Sequence, residues 1–342
     1  MTRLRWGILG TGRIAGIFSR GVLASQSGQL AAVGSRTQAS ADRFAREFGV
    51  PRAHGSYESL LADREVQAVY VGLPHPLHAE WTIRAARAGK HILCEKPLTV
   101  NRAEAAVVTE AARDHGVVLM EAFMYRCHPQ TARVVGLVQS GALGCVGFVQ
   151  ASFSFQADFD PEFRLWNRTL GGGGILDVGG YPVSFARLIA GVADGRPFAD
   201  PVSVTGAGHL HPQAGVDVYA AATLKFGNGI VAQVACGIGL QQDNSVRIYG
   251  SKGWLHVPEP WIPNREGGTS VIFLHEGKAS APEEIPVTAP PLYALEADAF
   301  AAALAGGRSE VPAMTLADTL GNMAALDQWR AALGLVYAAD QP

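Results

Sequence analysis

Along this chain the spacing of hydrophobic positions changes near residue 120. Before it, short apolar runs alternate with stretches whose apolar residues recur every three to four positions. Residues 4–10 read as a buried strand, and Ile14, Ile17 and Phe18 then mark one face of a helix. The alternation continues with strands at 30–33, 68–71, 91–94 and 117–121 and helices at 41–48, 79–88 and 103–115. Such alternation predicts an α/β fold around a doubly wound parallel sheet, with ligands held at the carboxyl ends of its strands.

After a helix at 131–140 the period drops to two. Strand-like runs fall at 147–155, 202–207, 217–226, 230–236, 246–249, 254–257 and 271–275, with Gly227-Asn228-Gly229 as a hairpin turn. Two helical stretches close the chain, 293–304 and 316–333, the second capped by Thr315. Strands in succession predict a mostly antiparallel sheet with one face under helices and the other open. The expected division is a dinucleotide-binding domain over 1–122 and a C-terminal α+β domain over 123–342.

Composition narrows the function classes. A length of 342 residues suits two domains. Charged residues are 17% of the chain, against about 25% in an ordinary soluble domain, which leaves apolar surface for a subunit contact. The net charge is −2 and no Lys/Arg run is present, which argues against nucleic acid. No apolar stretch is expected to reach the roughly 18 residues of a membrane helix. Cys94, Cys127, Cys145 and Cys236 form no C-x-x-C pair, and no metal cluster is evident. The chain reads as cytoplasmic.

Three stretches carry chemistry. The first is Gly10-Thr11-Gly12-Arg13-Ile14-Ala15 between strand and helix. One glycine makes the tight turn, the next lets a pyrophosphate approach the backbone, and the helix N-terminus favours the anion. No acid follows the second strand to take a ribose 2′-hydroxyl. Ser35 and Arg36 stand there instead, a hydroxyl and a planar cation suited to a 2′-phosphate, so NADP is read over NAD. The second stretch is the pair of strand-end segments containing Leu73-Pro74-His75 with His78, and Glu95-Lys96-Pro97. The third is 171–181, four glycines followed by Asp177 and Tyr181. A helix starting near Asp177 would set both side chains on one face. The glycines are read as backbone that lets a nicotinamide and its substrate come close.

Together these stretches resemble the glucose–fructose oxidoreductase and inositol dehydrogenase family over nearly the whole chain. The resemblance implies a Rossmann domain, an open-faced second sheet that pairs in a homodimer, and a final helix packed back on the cofactor domain. It also implies a cis peptide at Lys96-Pro97, with Lys96 and Asp177 flanking the nicotinamide. Most members carry His where this chain has Tyr181, and Asn where it has His75. Tyr at 181 is similar to the branch with dimeric dihydrodiol dehydrogenase and NADP-dependent xylose dehydrogenase.

The expected reaction moves hydride between NADP and a hydroxyl or carbonyl carbon of a sugar or cyclic diol, with Tyr181 exchanging the proton. Lys96 is expected to bind the substrate oxygen and to lower the Tyr181 pKa, and Asp177 to orient hydroxyls. The loop 158–168 and its approach offer Phe159, Arg164, Trp166, Tyr125 and Arg126 as substrate contacts. Two other readings stand beside this one. One is an aldose–aldose oxidoreductase that retains NADP, and the other is a non-enzymic NADP-sensing regulator.

Overall fold

In a computed structural model, which describes residues 3–277 and 280–341, the two sequence periods become two sheets. The first half runs β1 (Leu4–Leu9), α1 (Arg13–Ala24), β2 (Gly28–Gly34), α2 (Gln38–Phe48), β3 (Ala53–His54), α3 (Tyr57–Leu61), β4 (Ala68–Val71), α4 (His78–Arg87), β5 (His91–Glu95), α5 (Arg102–Asp114) and β6 (Leu119–Ala122). Its strands pair in parallel in the order β3-β2-β1-β4-β5-β6. The helix starts follow from local chemistry: Thr37 caps α2 and Asn101 caps α5, each accepting a backbone N–H from three residues on. The short β3 and α3 were not expected; two and five residues are too few to show a period.

The second half runs α6 (Pro129–Gln139), β7 (Val146–Ser154), α7 (Gly180–Val192), β8 (Pro201–Leu210), β9 (Asp217–Phe226), β10 (Val231–Gly237), β11 (Val246–Gly250), β12 (Gly253–Val257), β13 (Gly268–Glu276), β14 (Glu283–Ala289), α8 (Leu292–Ala305) and α9 (Leu316–Ala332). Eight strands form one sheet in the order β14-β13-β12-β11-β7-β10-β9-β8, antiparallel except for β7 with β10. The Gly227-Asn228-Gly229 hairpin joins β9 and β10, with Gly229 at φ +87°. β14 escaped the period-two reading because it is polar and carries Pro286, which an edge strand tolerates.

Helix α7 packs on β7 and β10, and every one of its residues is buried. The expectation that no stretch has the length and apolarity of a membrane helix needs correction. The helical run Arg168–Val192 has both, and its apolar window is wholly buried inside the protein. The other sheet face carries Gln150, Thr223, Gln233 and Arg247 around a shallow concavity of about 700 Å³. Thr315 caps α9 as expected, and α9 packs on α5 and β6 of the first sheet's layer. Helix α8 also returns to that layer and lies along α1.

Where the two layers meet, the core contains buried acids. Glu121 on β6 accepts the Leu98 N–H at 2.9 Å, and burial pushes its carboxyl from 4.5 up to about 7. Between those values the unfolded chain has lost a proton that the folded one keeps, so this group makes stability fall as pH rises. The slope is at most about 1.4 kcal/mol per pH unit. Glu121→Gln keeps an acceptor for Leu98 and removes the charge. Denaturation followed from pH 5 to 7.5 should show the variant gaining on the wild type as pH rises; a constant gap would mean that Glu121 does not titrate in this window.

Candidate active site

At the carboxyl ends of β1, β2 and β4 lies a cavity of about 590 Å³. Gly10 turns there at φ +100°, where a Cβ would stand 2.8 Å from the Gly72 carbonyl oxygen. At Gly12 a Cβ would meet nothing within 4 Å, so this backbone is open to the cavity. Helix α1 starts beside it with no side-chain cap and no acid in its first turn, which leaves its N–H groups and dipole free for an anion. Arg13 is exposed at the start of that turn, while Ile14 packs inward on the core.

The far end of the cavity is polar. Ser35 and Thr11 face each other with their hydroxyl oxygens 3.2 Å apart, and the exposed Arg36 lies next to Thr37 and Ser40. Tyr57 forms the wall: burial raises its phenol pKa and the Arg36 guanidinium opposes that rise. Glycine turn, uncapped helix and exposed cation fit a dinucleotide with a phosphate at its ribose. Thr37, Ser40 and Tyr57 escaped the sequence reading because they belong to a helix start and a helix that carried no motif.

Leu73 and Pro74 line the near side of the cavity, whereas His75 and His78 turn behind it. His78 ties two loops together, with Nδ1 2.8 Å from the Pro97 carbonyl and Nε2 2.7 Å from that of Leu73. Both nitrogens can donate only in the imidazolium, and burial works against that charge and lowers the pKa. His75 places Nδ1 3.0 Å from the Gly171 carbonyl. Its pKa falls to about 3, through burial first and then the nearby His78, Arg164 and Lys96, so it is neutral and donates from Nδ1. The Lys96-Pro97 peptide is cis. Glu95, expected at the cofactor, turns the other way: the Tyr70 hydroxyl donates to it at 2.5 Å inside the core.

The glycine run has a different reason from the one expected. A Cβ on Gly172 would overlap the carbonyls of Leu165 and Arg164, and one on Gly173 the Asp217 carboxylate. Gly171 and Gly173 also take φ of +68° and +104°. These glycines let protein approach protein. The expected helix start at Asp177 is also displaced. A single π-helical turn, Ile175–Gly179, precedes α7, and the Asp177 N–H is already bonded to the Gly173 carbonyl at 3.1 Å. Lys96 donates to the Asp177 carbonyl, its Nζ 2.7 Å from that oxygen and 3.7 Å from the Asp177 carboxylate.

Arg164 completes the cluster, with Nη1 2.9 Å from Asp177 Oδ1 and a side chain 44% exposed. Burial by itself would raise the Asp177 carboxyl; the charges of Lys96 and Arg164 outweigh it and hold the pKa at about 2. The acid is ionised throughout the neutral range.

Tyr181 lies in an aromatic box of Phe123, Tyr125, Phe153 and Trp261, with ring centroids 5.1 to 5.9 Å away. Lys96 Nζ stands 5.3 Å from the centre of its ring rather than at its hydroxyl, which points to Met124 Sδ at 3.4 Å. The expected lowering of the phenol pKa is therefore not what these side chains produce. Burial pushes it well up, and Tyr293, Glu95, Asp177 and Glu296 push the same way.

The expected substrate contacts divide. Tyr125 and Arg126 are committed to the fold: the Tyr125 hydroxyl donates to Ser184 Oγ at 2.9 Å, and Arg126 pairs with Asp318 at 2.7 Å. Asp318 also holds the fully buried Arg187 at 2.5 Å. Trp166 is an anchor, buried, with its indole N–H on the Asp158 carbonyl at 2.8 Å. Phe159 remains available: it is 41% exposed and stacked on His211 at 4.2 Å.

Comparison with known proteins agrees with this architecture. Residues 4–123 match the model of the oxidoreductase family with an NAD-binding Rossmann fold (GFO/IDH/MocA), and residues 131–256 match the C-terminal domain of the same family. The chain is 36% identical over 328 residues to D-xylose 1-dehydrogenase (NADP(+)) 2 of Haloferax volcanii, covering 95% of each. It is 34% identical to trans-1,2-dihydrobenzene-1,2-diol dehydrogenase of Xenopus laevis, over 97% of this chain and 99% of that one. The solved 3-ketoreductase KijD10 of Actinomadura kijaniata, in complex with NADP and TDP-benzene, superposes with a TM-score of 0.87 at 31% identity, over 97% of this chain and 98% of the other. This chain belongs to the GFO/IDH/MocA family of oxidoreductases.

Proposed function

We propose that the protein is an NADP-dependent oxidoreductase that transfers hydride between the nicotinamide and a carbon bearing a hydroxyl or carbonyl, in a sugar or cyclic vicinal diol. The observation that carries this reading is the convergence of Lys96 and Arg164 on Asp177, with the Lys96 ammonium over the ring of Tyr181. A cavity fitted for phosphates stands behind the same loops. Residues 1–122 are the cofactor unit and 123–342 the substrate unit.

Bound NADP supplies or accepts the hydride; the side chains do the rest. The α1 N-terminus and Gly10–Gly12 hold the pyrophosphate, and Ser35 and Arg36, with Thr37 and Ser40 beside them, hold the 2′-phosphate. Lys96 polarises the reacting oxygen, while Asp177 and Arg164 accept and donate hydrogen bonds to neighbouring hydroxyls. Phe159 offers a ring face to the apolar side of the substrate. Tyr181 exchanges the proton. The open sheet face around Gln150, Gln233 and Arg247 takes a second copy of the chain, and the protein works in the cytoplasm as a homodimer.

Two measurements test this reading. Tyr181→Phe should lower turnover about 10²- to 10⁴-fold while leaving NADP+ affinity within about twofold; wild-type-like turnover would remove Tyr181 from proton transfer. Arg36→Ala should cut kcat/KM for NADP+ by about tenfold or more and leave that for NAD+ little changed, since an ionic hydrogen bond to phosphate contributes on the order of 1.5–3 kcal/mol. An unchanged cofactor ratio would place the 2′-phosphate elsewhere. D-xylose and trans-1,2-dihydrobenzene-1,2-diol are the first substrates to try, followed by a panel of aldoses and cyclic diols.

A further inference from the structure

The residues from 171 to 177 are gripped from two sides by groups with no place in the chemistry above. Asp217, the first residue of β9, is fully buried between apolar neighbours, Val216 and Val218. Its Oδ2 accepts the Ile175 N–H at 2.7 Å, so an acid from another element caps the turn that carries Asp177. Gly173 and Gly174 are what allow that carboxylate so close to the backbone.

On the other side, segment 335–340 folds back after α9. The Tyr337 hydroxyl donates to the Gly172 carbonyl, and its ring packs with Leu335 against Leu176 and Val100. Leu176 directly precedes Asp177, and Val100 lies four residues after Lys96. The segment also bonds to the loop after Lys96-Pro97: Asn101 Nδ2 donates to the Ala339 carbonyl at 2.8 Å and to Asp340 Oδ1 at 3.0 Å. Arg330 fixes the segment in turn, paired with Asp340 at 2.7 Å and stacked over the Tyr337 ring at 5.1 Å. Arg168 holds the Val336 carbonyl at 3.0 Å.

We propose that Asp217 and Tyr337 are positioning residues: they clamp the glycine run so that Asp177 keeps its register with Lys96. Lys96 and Asp177 come from different sheets' layers, and a hydrogen bond to a backbone carbonyl and a 3.7 Å ion pair, both from the one ammonium, join them directly. The clamp supplies the second and third points that an orientation needs. It rests on the reading of Lys96 and Asp177 as the groups that hold the reacting substrate, because misplacement by about 1 Å costs on the order of 10²-fold in rate.

Tyr337→Phe and Asp217→Ala test it, since each removes one of the two hydrogen bonds that grip the glycine run. Hydrogen–deuterium exchange on the intact chain should show faster exchange of the amides from 172 to 178 in both variants, with the two sheets still protected. With NADP+ and D-xylose or the trans-diol, kcat should fall at least tenfold, KM should change less, and NADP+ affinity should stay within twofold. Tyr337→Ala should lose more than Tyr337→Phe. Unchanged protection at 172–178, exchange that rises evenly along the chain, or local loosening with an unchanged kcat would each overturn the clamp. A wild type that oxidises neither compound would count against those substrates, not the clamp, and the exchange result would then decide alone. Asp177→Asn with full turnover would instead sink the functional reading while leaving the exchange result intact.

Discussion

A single ammonium joins the two halves of the proposed active site. Lys96 stands at the end of a strand of the parallel sheet, and Asp177 stands on a turn packed against the antiparallel one. The lysine reaches across and donates to the Asp177 carbonyl. A hydrogen bond from a charged donor contributes about 1.5–3 kcal/mol, so the contact is favoured. The same ammonium then holds the Asp177 carboxylate ionised in a place where burial would neutralise it.

Much of the surrounding structure serves to keep that contact in place. His78 bridges the Leu73 and Pro97 carbonyls and so couples the wall of the cofactor cavity to the Lys96 loop. Asp217, Tyr337 and the glycines do the corresponding work around Asp177. The Arg126–Asp318–Arg187 network ties α7 to α9 beneath the site. Removing one partner there would strand a buried charge, typically a loss of 3–5 kcal/mol. The site thus combines buried charge and a π turn with glycines that take positive φ.

Tyr181 illustrates how environment alters a residue's chemistry. A lysine near a phenol suggests a lowered pKa when only the residue types are known. In the fold the cation lies over the ring face, the ring sits in an aromatic box and the hydroxyl points to Met124 Sδ, so desolvation wins and the phenol pKa rises.

What the sequence determined by itself was whatever depends on local period and local motif. The alternation of strand and helix before residue 120, the period-two strands after it, the glycine turn at Gly10–Gly12 and the Thr315 cap all arise from neighbours within a few positions. The cluster of Lys96, Asp177 and Tyr181 was legible too, because each belongs to a short motif. What only the tertiary structure decided was the use of side chains whose partners lie far along the chain. Arg126 and Tyr125 turned from substrate contacts into core struts because Asp318 and Ser184 reach them first, and Glu95 turned to Tyr70. Gly172, Gly173 and Gly174 were needed for the Leu165 carbonyl and the Asp217 carboxylate, partners that no periodicity announces. Hydrogen bonds between residues 25 to 239 positions apart leave no periodic trace in a sequence, and here those bonds set what each side chain touches.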